Sequence, residues 1–169
     1  MPNVEIRKNY KVRIANGPKE ILPNGETNAW DEAFWGSGRD TDLSALHDNA
    51  DRARVFDLAE RTARFGEAMI RFAKKIPQNA VNNRLISQLV GAATSVGANH
   101  CEADDAVSKR DFKNRIGTCR KESKEAMFWL RMLATAEPNL KDEARVLWQE
   151  AKELNLIFGA IRRNSGSSR

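Results

Sequence analysis

Phe112-Lys113-Asn114-Arg115-Ile116-Gly117-Thr118-Cys119-Arg120-Lys121-Glu122-Ser123-Lys124-Glu125-Ala126-Met127-Phe128-Trp129-Leu130-Arg131-Met132-Leu133 carries the pattern that decides the fold. Phe112, Ile116, Cys119, Ser123, Ala126, Leu130 and Leu133 recur at steps of 4, 3, 4, 3, 4 and 3. At about 3.6 residues per turn, that spacing keeps one stripe facing inward and leaves the Lys, Arg and Glu between in water.

The same rhythm appears three more times. Upstream, one face holds Val55, Leu58, Thr62, Phe65, Met69, Phe72 and Ile76, and a second holds Leu85, Leu89, Ala92, Val96, Asn99 and Ala103. Downstream, a fourth face holds Leu140, Ala144, Leu147, Ala151, Leu154, Phe158 and Ile161. Heptad-like spacing in four consecutive segments is the packing pattern of near-aligned helices. Pro77 separates the first two segments and Pro138 falls between the last two. Ser108 with Asp111 three residues on resembles a capping box at the start of the third. Short connections make consecutive helices antiparallel neighbours. The sequence therefore predicts an all-α, antiparallel up-down four-helix bundle over 51–163, with no sheet-forming run after residue 50 and a frayed tail at 164–169.

Residues 1–50 read differently. Asn16-Gly17-Pro18, Pro23-Asn24-Gly25 and Gly36-Ser37-Gly38 are turn punctuation. Alternation at Val4 and Ile6, and at Val12 and Ile14, suits short strands or an arm. Ala29 to Trp35 suits one helical turn presenting Trp30 and Phe34. The segment is an irregular N-terminal extension that docks on something, such as a neighbouring subunit in an oligomer, or stays mobile.

Bulk composition sets limits on function. The chain has 169 residues, 41% hydrophobic and 30% charged, enough for one domain with a core. No apolar run approaches roughly 18 residues and the start lacks a signal-peptide core, so the expectation is a cytoplasmic protein with no membrane partner. Two cysteines, Cys101 and Cys119, read as reduced thiols. The net charge is +5, with 6 Lys/Arg against 8 Asp/Glu over 1–50 and 22 against 15 over 51–169. A basic bundle raises the expectation of nucleic acid or acidic protein partners.

Catalytic chemistry finds no constellation. The two histidines, His47 and His100, stand far apart, and His100 and Cys101 are adjacent on a helix, so they point apart. No Gly-rich phosphate loop and no metal-type spacing is present. The expectation is no catalytic residue, no metal and no cofactor. Asn99 at an inward position, with Glu102, Glu122 and Glu125 nearby, suggests a structural polar network. A di-iron site would need Glu-x-x-His motifs, which are absent.

Basic residues fall in stripes. Arg61, Arg64, Arg71 and Lys75 lie on the first helix, and Lys113, Arg120 and Lys124 share a face of the third. These seven are the candidate nucleic-acid-binding residues, since phosphate binding needs clustered cations. The other reading is a solvated face, with Asp57, Glu60 and Glu67 interspersed.

A family resemblance rests on residues 84–133. Its marks are Gln88-Leu89, Thr94-Ser95-Val96-Gly97-Ala98-Asn99, Glu102-Ala103, Ala106, Ser108, Asp111-Phe112, Lys121-Glu122, Glu125 and Trp129-Leu130. These resemble the four-helix-bundle proteins first noticed as reading frames in the intervening sequence of large-subunit ribosomal RNA genes. That family includes the accessory protein (Avd) of diversity-generating retroelements. The likeness extends over about 51–163 and leaves out 1–50. It implies a homopentameric ring with a basic surface, which in the retroelement branch binds RNA or DNA and a reverse transcriptase and catalyses nothing itself. It also implies structural rather than catalytic roles for Asn99, Glu102, Glu122 and Glu125. Gly91 and Ala92 stand where the family often has a basic residue and a serine, which argues against nucleic-acid contacts through the second helix. The protein-only alternative is a scaffold whose basic stripes are merely solvated.

Overall fold

The computed structural model describes residues 33–36 and 57–165. Val55, Trp30, the suggested strands of Val4 to Ile14 and the last residues of the tail lie outside them. Among the described residues four long helices run in order: α1 (Leu58–Ala73), α2 (Ala80–Asp104), α3 (Lys109–Ala136) and α4 (Lys141–Asn164), with a 3-10 turn (Pro138–Leu140) leading into α4.

Each start has a local cause. The Asp57 carboxylate accepts from the Ala59 and Glu60 amides, and the Asn79 side chain accepts from those of Val81 and Asn82. Each satisfies N–H groups that a first helical turn leaves without intrahelical partners. Ser108 Oγ accepts from the Asp111 amide at 3.1 Å. The Asp111 carboxylate turns forward to Arg115 at 3.6 Å, so only half of the expected capping box is found in these contacts. Helix α4 has no side-chain cap: Pro138 opens the 3-10 turn that feeds it, and Asp142 and Glu143 place negative charge in its first turn.

The helices pack in a closed cycle, α1 on α2, α2 on α3, α3 on α4 and α4 back on α1. Contacts fix each neighbour as antiparallel. Asn82 near the start of α2 reaches Glu137 after α3, and Cys119 reaches Val96. Arg61 early in α1 meets Glu150 of α4, whereas Lys75 just beyond α1 meets Glu143.

The inward stripe of α3 is buried at every position expected, from Phe112 to Leu133. Thr62, Phe65, Met69, Phe72 and Ile76 are buried from the first stripe, and Ala144 through Ile161 from the fourth, while Leu58 and Leu140 are half-buried. In α2 the stripe is displaced. Leu89, Ala92, Val96 and Ala103 are buried, but Leu85 and Asn99 are only half-buried, and Asn82, Ala93 and His100 take interior places. Asn99 is therefore not the inward residue the spacing predicts. Its amide donates to Ser95 O at 2.9 Å, while the neighbouring His100 ring packs against Phe158 at 6.0 Å. The run Gly91-Ala92-Ala93-Thr94-Ser95-Val96-Gly97-Ala98 offers small side chains on several faces, so spacing alone does not choose the frame. Gly97 faces α1 there: a methyl group at that position would meet Thr62 O at 3.6 Å, an ordinary contact.

Residues 33–35 are helical and dock on the chain's own bundle. Trp35 is 6% exposed and its ring centroid lies 5.8 Å from that of Trp148. Phe34 has the Arg131 guanidinium 4.7 Å and the Lys141 ammonium 4.8 Å from its ring centre. Gly36 ends the segment at φ +81, a left-handed conformation that glycine adopts without steric cost, and its carbonyl accepts from Arg145 Nη2 at 3.2 Å.

Candidate nucleic-acid interface

The seven basic residues singled out by the sequence separate into two groups. Those of the α1 region are paired. Arg61 Nε and Nη2 donate to the two oxygens of Glu150 at 2.6 and 2.7 Å, and Nη2 also meets Glu153 at 2.5 Å. With a side chain only 12% exposed, Arg61 ties α1 to α4 and is no outward charge. Burial works against its charge, but the bonds and attraction of the two glutamates outweigh it and raise its pKa above the ordinary value. Arg64 pairs with Glu60 at 2.8 Å, Arg71 with Glu67 at 3.4 Å and Lys75 with Glu143 at 2.6 Å.

Lys113, Arg120 and Lys124 stand elsewhere, on the edge of α3 beside α4. The register is set by Gly117, where a methyl group would lie 3.7 Å from Arg162 Nε, and by Gly159, where one would lie 3.6 Å from Arg120 Nε and 3.5 Å from Arg163 Nη1. Arg162 thus lies across the backbone of α3 and Arg120 across that of α4, at distances an added methyl group would meet as ordinary contact. Asn155 of α4 completes the join, donating to Arg120 O at 2.6 Å and to Ser123 Oγ at 3.3 Å.

Continuing that register shows what the seam contains. On α3 it holds Lys113, Gly117, Arg120, Lys124, Met127 and Arg131; on α4, Lys141, Arg145, Trp148, Lys152, Asn155, Gly159 and Arg162. None of these is acidic. Among the described residues, no carboxylate forms an ion pair with Lys113, Arg120, Lys124, Arg162 or Arg163. Arg162 and Arg163, in the last turn of α4, are not among the residues that the sequence singled out. Their signal was that four- and seven-residue steps back along α4 meet no Asp or Glu on this side until the first turn.

The polar residues of α2 and α3 do not share one network. Asn99 bonds within its own helix, Glu102 pairs with Arg115, and Glu122 and Glu125 both approach Lys121, at 3.9 and 3.4 Å. Glu122 is half-buried, and burial, then the neighbouring Glu125, raise its pKa against the pull of Lys121.

Cys119 is buried and its thiol donates to Val96 O at 3.5 Å; burial chiefly pushes its pKa up to about 12, so it carries no thiolate at neutral pH. Cys101, Glu102, Asp105, Asp111 and Arg115 line an open depression, where Arg115 pairs with Glu102 and Asp111. Among the described residues no three His, Cys, Asp or Glu side chains are grouped to hold a metal, and no helix is long and apolar enough to cross a membrane.

Comparison with known proteins places this geometry in a family. No curated protein matches the chain. A crystal structure of a protein of unknown function from the S23 ribosomal protein family of Bacteroides thetaiotaomicron shares the fold, with a TM-score of 0.55. It is 24% identical, over 63% of this chain and 95% of that one. Residues 54–159 match the model of the 23S rRNA-intervening sequence proteins, a span that takes in most of the four helices. The chain belongs to the 23S rRNA-intervening sequence protein family.

Proposed function

We propose that this protein is a non-enzymatic adaptor that holds the phosphate backbone of RNA along the α3/α4 seam. The observation that carries the reading is the seam itself: cations in register on two helices, with no carboxylate among them, whereas Arg61, Arg64, Arg71 and Lys75 are each paired with a glutamate. Phosphate binding needs positive charge not already spent on a partner, and it is indifferent to base sequence. Assembly into a homo-oligomer, a pentamer by the family resemblance, would repeat the seam and multiply a weak attraction. A reverse transcriptase is the protein partner that the retroelement branch of the family implies.

Replacing Lys113, Arg120 and Lys124 together by Glu should abolish retention of structured RNA in a gel-shift titration and leave the helical circular dichroism intact. Replacing Arg64, Arg71 and Lys75 by Ala should weaken binding far less, and wild-type binding should fall steeply with salt as counterions are released. The protein-only scaffold is the second reading. It is favoured by Phe128 and Leu156, 51% and 43% exposed, which stand one turn beyond Lys124 and Lys152 beside the seam. Absence of any shift at low salt would put that reading first.

A further inference from the structure

The far end of the α3/α4 seam is covered. From Lys113 to Arg131 the seam spans about 27 Å at about 1.5 Å per residue. Lys113, Arg120 and Lys124 lie on its open part. Arg131, Lys141 and Arg145 lie under residues 34–36, next to Trp148.

The contacts made there are of the kind a nucleotide makes. Trp35 lays a flat aromatic ring against Trp148 at an interplanar angle of 42°. Phe34 offers a π face to two cations. The Gly36 carbonyl accepts from a guanidinium, as a phosphate oxygen or a base carbonyl does. A base stacked on an aromatic side chain beside Lys and Arg is the usual arrangement of single-strand binding. Lys152, 5.2 Å from the centre of the Trp148 ring, adds a further cation to the same platform.

The segment is also made to leave. Trp35 Nε1 is buried with no hydrogen-bond partner, an unsatisfied donor that weakens its hold. On either side in the sequence stand Asp31 and Glu32, and Asp40 and Asp42, against Arg39 alone. That sequence context is net negative, the same sign as a polyanion that would compete for the cations under residues 34–36.

We propose that the surface formed by Arg131, Lys141, Arg145 and Trp148 is a subsite for one unpaired base and its phosphate of single-stranded nucleic acid, occupied in the free protein by Phe34-Trp35-Gly36. This rests on the seam being a nucleic-acid interface and adds to it a preference for single strands and a resident competitor.

The test compares the full chain with its Phe34→Ala/Trp35→Ala variant by fluorescence anisotropy, using labelled oligouridine and an RNA duplex of equal length over a series of salt concentrations. Uncovering the subsite should tighten single-strand binding about fivefold or more, as expected for one stacked base. It should also steepen the salt dependence by about 0.7 log unit per log unit, the slope of the one phosphate the subsite neutralises. The duplex, whose bases are already stacked, should gain less. Arg145→Gln in the same variant should reduce the gain. Phe34→Ala alone provides the measurement if the double variant loses its helical circular dichroism. Equal binding by wild type and variant, or an equal gain for duplex and single strand, overturns the subsite and leaves the seam standing. No binding by either protein to either RNA overturns the seam and the subsite together.

Discussion

Arg61 shows how position decides what a charge does. Its guanidinium is satisfied by Glu150 and Glu153, and removing it would leave two glutamates facing each other at a helix joint. Loss of one partner of a buried pair costs about 3–5 kcal/mol, and this pair keeps some solvent, so Arg61→Ala should cost about 2 kcal/mol in urea denaturation. It should leave RNA affinity unchanged, unlike substitutions on the seam. His100 makes a second residue-scale test. Its ring is 8% exposed, its Nδ1 has no hydrogen-bond partner, and the Asp104 carboxylate is 3.8 Å away. Burial lowers its pKa, with Asp104 and Asp57 only partly opposing. The unfolded chain therefore takes up the proton first, at a pKa of about 6.5. The neutral ring's contribution is complete above that pH and is lost as pH falls through it toward the lower folded value. The urea midpoint should fall between pH 7 and pH 5, and His100→Gln should flatten that part of the profile.

At the scale of elements, capping and loop ties organise the helices. Ser108 supplies a hydroxyl to the first turn of α3, so Ser108→Ala should cost about 1 kcal/mol, read as a lower thermal midpoint with the same helical content. Asn82, 1% exposed, donates to Pro77 O at 2.8 Å and to Glu137 at 2.6 Å, fastening the α1–α2 connection to the end of α3. The existence and order of the helices were legible in the sequence because long apolar side chains recur on one face, most clearly in α3. The frame of α2 was not, because small residues fit an interior or an edge equally and the choice falls to the helices packed against it. The basic residues of the candidate site were legible, but their availability was only partly so. Glu60 and Glu67 stand four residues before Arg64 and Arg71, within the same helix. The partners of Arg61 and Lys75 lie on α4, 89 and 68 residues away, where no local spacing points. The docking of Trp35 on Trp148 is equally non-local: an apolar turn in the extension signals that something is covered and does not say what.

For the whole molecule, assembly is the open quantity that a single measurement fixes. Half-buried apolar side chains outside the main stripes, Ile86, Val90, Met127, Trp129 and Ile157, leave the bundle with more apolar surface than its own core uses. Trp129 adds a buried indole Nε1 with no hydrogen-bond partner. Multi-angle light scattering at micromolar concentration should give a homo-oligomer, five subunits by the family resemblance, and a monomer mass would reject it. The α1/α4 joint and the cations Lys113, Arg120, Lys124, Arg162 and Arg163 differ before any contact is made. Paired charges cancel at a distance and these five meet no carboxylate among the described residues, so they give that edge of the bundle a local positive field. A polyanion that comes within reach of such a field is drawn to that edge during diffusion, which raises the rate of productive encounters. The effect reaches only about 8 Å beyond the surface at physiological ionic strength. Orientation is then set in the last moments of approach, before any side chain has met its phosphate.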